Sequence, residues 1–344
     1  VLQRVAVMCT DGITRTVNVD KSLNYPAGWM VRIDVTPEGE NVTAIENRTI
    51  SGTVSADATM LGDRKLADDV QILDTTTEGV AGTVRPSRLS GTKLNMLNVR
   101  YYTLNDNGEI DRLILNDVTG DLWKYGVLDD IRNIAANRPY TKTPATAGDS
   151  EGEGSDGTNQ VLKDLRSVLV PTTSEILWGV INGDILQTVW NKVTSSTGSL
   201  VSIGVKQLAK VVGEPYGTIL NYVGGGATYV CYVNGQLTSY TTSIKYPVLA
   251  GGLAVRQEVN GSVKAMVQLM PMKIDKVGAA SVLSGSTRYE VADNAQVYLW
   301  YKGQYYATKL AEVNSDAYYL TGWYDNFGCA AGKRVRVIVA VKKD

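Results

Sequence analysis

The run Arg4-Val5-Ala6-Val7-Met8-Cys9-Thr10-Asp11-Gly12-Ile13-Thr14-Arg15-Thr16-Val17-Asn18-Val19 decides the fold. Residues alternate on both sides of Asp11-Gly12. A two-residue type I′ turn needs positive φ at its central positions, and Asp-Gly supplies it, so the run reads as a tight β-hairpin. The pattern returns at Asn234-Gly235, between Thr228 to Val233 and Gln236 to Thr242. Working outward, Tyr25-Pro26-Ala27-Gly28 with Val31-Arg32 is answered by Tyr246-Pro247, Ala250-Gly251 and Val255-Arg256. Ala67-Asp68-Asp69-Val70-Gln71-Ile72 is answered by Ala292-Asp293-Asn294-Ala295-Gln296-Val297. Tyr101-Tyr102, Gly108 and Arg112-Leu113-Ile114 are answered by Trp323-Tyr324, Gly332 and Arg336-Val337-Ile338. Partners stand 221 (Tyr25 and Tyr246) to 225 (Gln71 and Gln296) residues apart. Four ordered matches at a nearly fixed offset read as an internal duplication.

Each copy consists of short alternating runs punctuated by Gly, Asn and Asp. Trp29, Val31, Ile33 and Val35 fill alternate positions in copy one; Leu253, Val255 and Val259 do so in copy two. One face of each sheet is therefore expected to be buried and the other wet. With about seven strands each, the copies read as closed or nearly closed antiparallel barrels or sandwiches, a mainly β fold class. Between them Gly148-Asp149-Ser150-Glu151-Gly152-Glu153-Gly154-Ser155-Asp156-Gly157 is too polar to order itself and reads as a linker or exposed loop. Val161, Leu162, Leu165, Val168 and Leu169, then Ile185, Leu186, Val189, Trp190 and Val193, then Val201, Val205, Leu208 and Val212 fall at helical spacing. The expected division is a β module over 1–119, a connecting segment with a small helical subdomain over 120–216, and a second β module over 217–344.

Composition narrows the chemistry. The 344 residues carry 34 Lys+Arg against 35 Asp+Glu, a net charge of −1, which offers no positive excess for nucleic acid or an anionic membrane. Histidine is absent, which excludes Ser-His-Asp and Cys-His nucleophile systems and every histidine zinc site. No apolar run approaches the roughly 18 residues that span a bilayer. The chain opens at Val1 without a charged n-region or apolar h-region, so an export signal is expected to lie upstream or to have been removed. Cys9, Cys231 and Cys329 are too few and too scattered for a disulfide framework or metal knuckle and read as free thiols. Counted from the hairpin glycines, Cys231 aligns with Met8, and Cys9 with Tyr232.

Candidate chemical sites have plain structural readings beside them. Asp68-Asp69 is the most conspicuous carboxylate pair, the basis of a histidine-free hydrolase alternative. Its counterpart Asp293-Asn294 reads with it as turn residues ahead of a strand. Asn105-Asp106-Asn107-Gly108-Glu109-Ile110-Asp111 imitates a calcium loop, but counting from Gly108 puts Thr103 first and Ile114 twelfth, so Asn107-Gly108 reads as a hairpin turn. The acidic loop spaces Asp149, Glu151, Glu153 and Gly154 better yet ends in Gln160, and reads as solvated. Gly224-Gly225-Gly226 lacks the helix and Lys-Ser/Thr of a phosphate cradle. Trp300-Tyr301 and Tyr305-Tyr306 could stack on sugars, the basis of a glycan- or host-binding alternative, or serve as cross-strand pairs.

The copies differ at one place. Gly217 to Val223 reads as a strand ahead of the Asn-Gly hairpin, whereas copy one reaches Asp11-Gly12 too soon for an equivalent. Leu122-Trp123-Lys124-Tyr125-Gly126-Val127-Leu128, just behind copy one, resembles Tyr216-Gly217-Thr218-Ile219-Leu220 and has no hairpin of its own. Trp123, Tyr125 and Val127 on this run, with Val5 and Val7 on the short sheet, are the candidate assembly residues. The run is expected either to pair with a neighbouring subunit or to fold back within one chain.

Three further runs carry a family resemblance: Tyr246 to Arg256, Val291 to Leu299, and Thr321-Gly322-Trp323-Tyr324-Asp325-Asn326 with its close at Gly332 to Ala340. They resemble the repetitive extracellular regions of surface-layer-type, S-layer homology domain-containing proteins of anaerobic Gram-positive bacteria. That resemblance implies an exported, non-enzymatic structural protein at the cell surface, with no cofactor, that forms a layer or filament of identical chains. Such proteins attach to cell-wall polysaccharide through S-layer homology motifs. The chain contains no such motif, so this anchoring would need a segment outside it.

Overall fold

A computed structural model describes residues 2–20, 22–133, 226–248 and 250–344. The acidic loop, the three helical runs, Gly224-Gly225 and the Tyr216 to Val223 run lie outside the described residues. The fold is mainly β. Copy one supplies β1 (Leu2–Met8), β2 (Thr14–Asp20), β3 (Val31–Thr36), β4 (Gly39–Ala44), β5 (Gly52–Thr53), β6 (Met60–Leu61), β7 (Arg64–Thr75), β8 (Ala81–Thr83), β9 (Lys93–Leu94), β10 (Val99–Leu104) and β11 (Ile110–Asn116). β12 (Lys124–Asn133) follows. Copy two supplies β13 (Ala227–Val233), β14 (Gln236–Thr242), β15 (Gly251–Gln257), β16 (Val263–Gln268), β17 (Met270–Ile274), β18 (Lys276–Val277), β19 (Ser281–Ser284), β20 (Thr287–Tyr301), β21 (Gln304–Thr308), β22 (Tyr318–Tyr324) and β23 (Val335–Lys342).

The duplication is written in the strand register. Copy one has the order β10-β11-β7-β6 with β8 on β7; copy two repeats it as β22-β23-β20-β19 with β21 on β20. In copy one the parallel pair β7/β11 sets Leu66 opposite Ile110 and, past an irregularity, Gln71 opposite Arg112. Copy two sets Val291 opposite Val335 and Gln296 opposite Val337, with the irregularity in the same place. All four counterparts stand 225 residues apart. The antiparallel neighbours agree: Thr103 faces Arg112 as Trp323 faces Val337, and a bulge follows each. The cores obey the same correspondence, for Leu61, Ile72, Leu113 and Leu115 of one are matched by Val282, Val297, Ile338 and Ala340 of the other, all buried. Each of the Leu, Ile and Val side chains among them contributes about 1.5–3 kcal/mol by leaving water.

This register corrects two matches made on residue identity. Arg336 is the counterpart of Asp111, not of Arg112, and Trp323-Tyr324 answers Thr103-Leu104 rather than Tyr101-Tyr102. The first slip is one residue and reverses the face; the second is two and keeps it. Asp68-Asp69 and Asp293-Asn294 lie inside β7 and β20, at the irregularity, rather than in a turn ahead of a strand.

Two compact units are formed. One comprises Val1–Val127, Tyr232–Gln236 and Ala250–Asp344; the other comprises Leu128–Cys231 and Leu237–Leu249. In the second unit, Tyr229 donates its hydroxyl to the Tyr246 carbonyl at 3.2 Å and accepts the Tyr246 N–H at 2.6 Å. Cys231 is buried there, and burial pushes its thiol up to about 12.

Candidate assembly site

The two hairpin tips show that the copies place their first strands alike. Gly12 and Gly235 have φ of 85° and 78°, which only glycine adopts freely. A Cβ would lie 2.8 Å from the Thr83 methyl at Gly12 and 2.9 Å from the Ala307 Cβ at Gly235. Thr83 and Ala307 are themselves counterparts, facing Leu73 and Tyr298. A glutamine pins each tip: Gln71 accepts the Thr10 hydroxyl at 2.7 Å, and Gln296 accepts the Asn234 N–H at 2.9 Å.

What lies beside the tips differs. In copy two the sheet runs β14-β13-β12-β15-β16, so the strand behind copy one is built into copy two. Of the two alternatives for Leu122 to Leu128, the structure takes the one within the chain. Trp123, Tyr125 and Val127 are buried in a cluster with Ala254, Leu269, Tyr298, Val337 and Val339. Trp123 stacks on Phe327 at 4.3 Å. Gly126 allows the strand to close up, because a Cβ there would lie 2.6 Å from the Tyr232 carbonyl oxygen. Gln296 completes the join by donating its Nε2 to the Tyr125 carbonyl, while its Oε1 also accepts the Tyr298 hydroxyl at 2.5 Å.

A polar seam holds the start of β12. Arg336 is 0% exposed and donates from Nε to Asp325 at 2.6 Å, from Nη1 to Asp121 at 2.6 Å and to Asn294 at 3.1 Å, and from Nη2 to the Thr119 carbonyl at 2.8 Å. Its guanidinium lies 4.7 Å from the Tyr125 ring centre. Arg88 shares Asp121 at 3.0 Å and reaches the Thr119 and Ala331 carbonyls at 2.9 Å. Burial pushes the Asp121 carboxyl up, but the Arg88 hydrogen bond and the Arg336 charge outweigh it and leave it below the usual range. Asp74 accepts from Thr75, Val118 and both donors of Thr119, yet burial dominates and raises it. These carboxylates are engaged in ion pairs and in binding the backbone.

Among the described residues copy one holds no inserted strand. Among the described residues β1 pairs with β2 alone and β3 with β4 alone, each a separate two-stranded sheet. The hairpins meet through Val17, Val19 and Val42, with Val5, Val7, Val31 and Ile33 partly buried against them. Between β1 and β3 a groove of about 750 Å³ opens, and Val5 and Val7 line it.

The remaining candidates are dispersed. Asp68 and Asp69 are exposed, and Asp68 is 3.8 Å from Lys65. Asn105 to Glu109 forms the β10–β11 turn, with the Asn105 carbonyl oxygen of its side chain accepting the Asn107 and Glu109 N–H groups at 3.0 Å. Tyr305 turns toward Tyr232 and Tyr298, at 5.4 and 6.1 Å between ring centres, leaving Trp300, Tyr301 and Tyr306 exposed. Among the described residues, no group of three or more His, Cys, Asp or Glu is arranged to hold a metal ion, and no helix is long and apolar enough to cross a membrane. Sequence reasoning matched Gln71 with Gln296 but missed their role in pinning hairpin tips, a contact between distant residues that no local pattern encodes. No family model, curated protein or solved structure matches the chain.

All three cysteines are free. Cys9 is half-buried in the groove wall, Cys231 is buried, and burial raises the Cys329 thiol. Alkylation of the native chain at pH 8, mapped by mass spectrometry, is expected to label Cys9 first, and all three residues after denaturation without reductant. Faster labelling at Cys231 would contradict this placement.

Proposed function

We propose that the chain is an extracellular structural subunit of a surface layer or filament at the cell surface, acting by strand and surface complementarity rather than by chemistry. The observation that carries this reading is β12, which follows copy one in sequence and is built into the sheet of copy two. A repeat whose copies are knitted by a shared strand transmits tension through backbone hydrogen bonds, as a structural array requires. The near-zero net charge supports close packing of identical chains, since self-repulsion is small. The resemblance to surface-layer-type proteins points the same way, with cell-wall polysaccharide bound through another segment. Negative-stain electron microscopy of the purified chain at rising concentration tests the reading. Ordered sheets or filaments are expected, and single particles at every concentration would overturn it.

A second reading, a glycan-binding surface, draws on the exposed rings of Trp300, Tyr301, Tyr306 and Tyr319. Loss of glycan-array binding on changing Trp300 to Ala would favour it; no binding by the unaltered chain would end it.

A further inference from the structure

We propose that the groove of copy one is a strand-acceptor site, and that its occupant is an extended segment of the β12 type from another molecule carrying this repeat. The inference rests on the assembly reading above and names the contact that would carry it. Copy two shows the site in its occupied form. There Tyr298, Val337, Val339, Trp323 and Tyr305 belong to the cluster that holds Trp123, Tyr125 and Val127. By strand register their counterparts in copy one are Leu73, Arg112, Ile114, Thr103 and Ala81. All five line the groove. The open space thus occupies the position in which copy two holds a strand.

Two further observations identify an extended backbone as the occupant. The walls are β1 and β3, each with one edge free among the described strands, and a free edge offers a row of N–H and C=O groups to an incoming strand. Gln71 supplies the second. Its Oε1 takes the Thr10 hydroxyl, and its Nε2 has no partner among the described residues, whereas the Nε2 of its counterpart Gln296 donates to the Tyr125 carbonyl of the inserted strand. Among the described residues β12 is the strand of this type and it is held by copy two; the proposed strand for copy one belongs to another molecule. Donation of this kind links molecules end to end.

The test uses a fluorescein-labelled synthetic peptide of residues 120–131 and the full chain. Saturable binding is expected, accompanied by slower alkylation of Cys9 in the groove wall. Gln71→Glu keeps an acceptor for Thr10 but removes the amide donor, and should weaken peptide binding at least tenfold with an unchanged urea midpoint. A peptide with Tyr125→Pro and Val127→Pro loses two ladder donors and should not bind. Failure of the unaltered peptide to bind, or binding indifferent to Gln71→Glu with Cys9 unprotected, would overturn the acceptor site. Ordered assemblies seen without peptide binding would overturn it while leaving the structural function standing. Peptide binding without assemblies would support the site and count against that function.

Discussion

Replacing Arg336 with Met is expected to destabilise the chain by about 3–5 kcal/mol, the range found when one partner of a buried ion pair is removed. Asp325 is 1% exposed and would lose its charged partner, keeping only the Lys333 and Arg334 N–H groups. Asp121 and the Thr119 carbonyl would each lose a donor, and the Tyr125 ring its cationic cover. Asp121 is partly open to water and can be resolvated, but Asp325 and Thr119 are closed to solvent, so their losses are not repaired by solvation. Urea unfolding measures the effect. Arg32→Ala serves as the control, because the Arg32–Asp34 pair is solvent-exposed and such pairs are worth at most about 1 kcal/mol. Equal and small losses for both variants would show that the seam is not structural.

Gly126→Val is expected to cost about 3 kcal/mol, at the upper end for forced overpacking. The added Cβ would meet the Tyr232 carbonyl oxygen at 2.6 Å and a Val233 methyl at 2.9 Å. A carbonyl fixed in a sheet cannot step aside as a flexible side chain can. The strain is relieved only if β12 leaves the sheet, which exposes Tyr125 and Val127 and breaks the Gln296 bond to the Tyr125 carbonyl. Thermal unfolding with Tyr and Trp fluorescence follows both the stability and the exposure of Trp123. A stability loss below about 1 kcal/mol with Trp123 still quenched would mean that β12 does not need this close approach.

Hairpins, duplication and β class were legible because each is encoded within a few residues. Asn234-Gly235 announces a two-residue turn with positive φ at both positions; at Asp11-Gly12 a turn forms where expected, but only Gly12 has positive φ and its N–H donates to the Cys9 carbonyl, so the loop takes in Thr10 and is one residue longer than the two-residue reading. Alternation announces the strands. Register was less legible. Arg112 and Arg336 share a letter, but the ladder pairs Arg336 with the position of Asp111, and a slip of one residue separates an exposed Arg112 from a fully buried Arg336. Asp68-Asp69 looked like a turn because two adjacent carboxylates disfavour a regular strand, and the strand answers by becoming irregular there. Leu122 to Leu128 was legible as a strand without a hairpin of its own. Which sheet the strand would join was not legible. That choice depends on contacts between distant residues, such as Gln296 with Tyr125, and these leave no periodic trace.

Hydrogen–deuterium exchange along β1 and β3, compared between the dispersed chain and its assembled form, tests most directly whether every copy is completed by a strand from outside its own sequence. The N–H groups on the free edges of Leu2–Met8 and Val31–Thr36 should exchange quickly in the dispersed chain, while β15, which flanks β12, is already protected. Assembly should slow the β1 and β3 edges at least a hundredfold and leave β15 unchanged. Assemblies in which β1 and β3 exchange as fast as before would contradict the account.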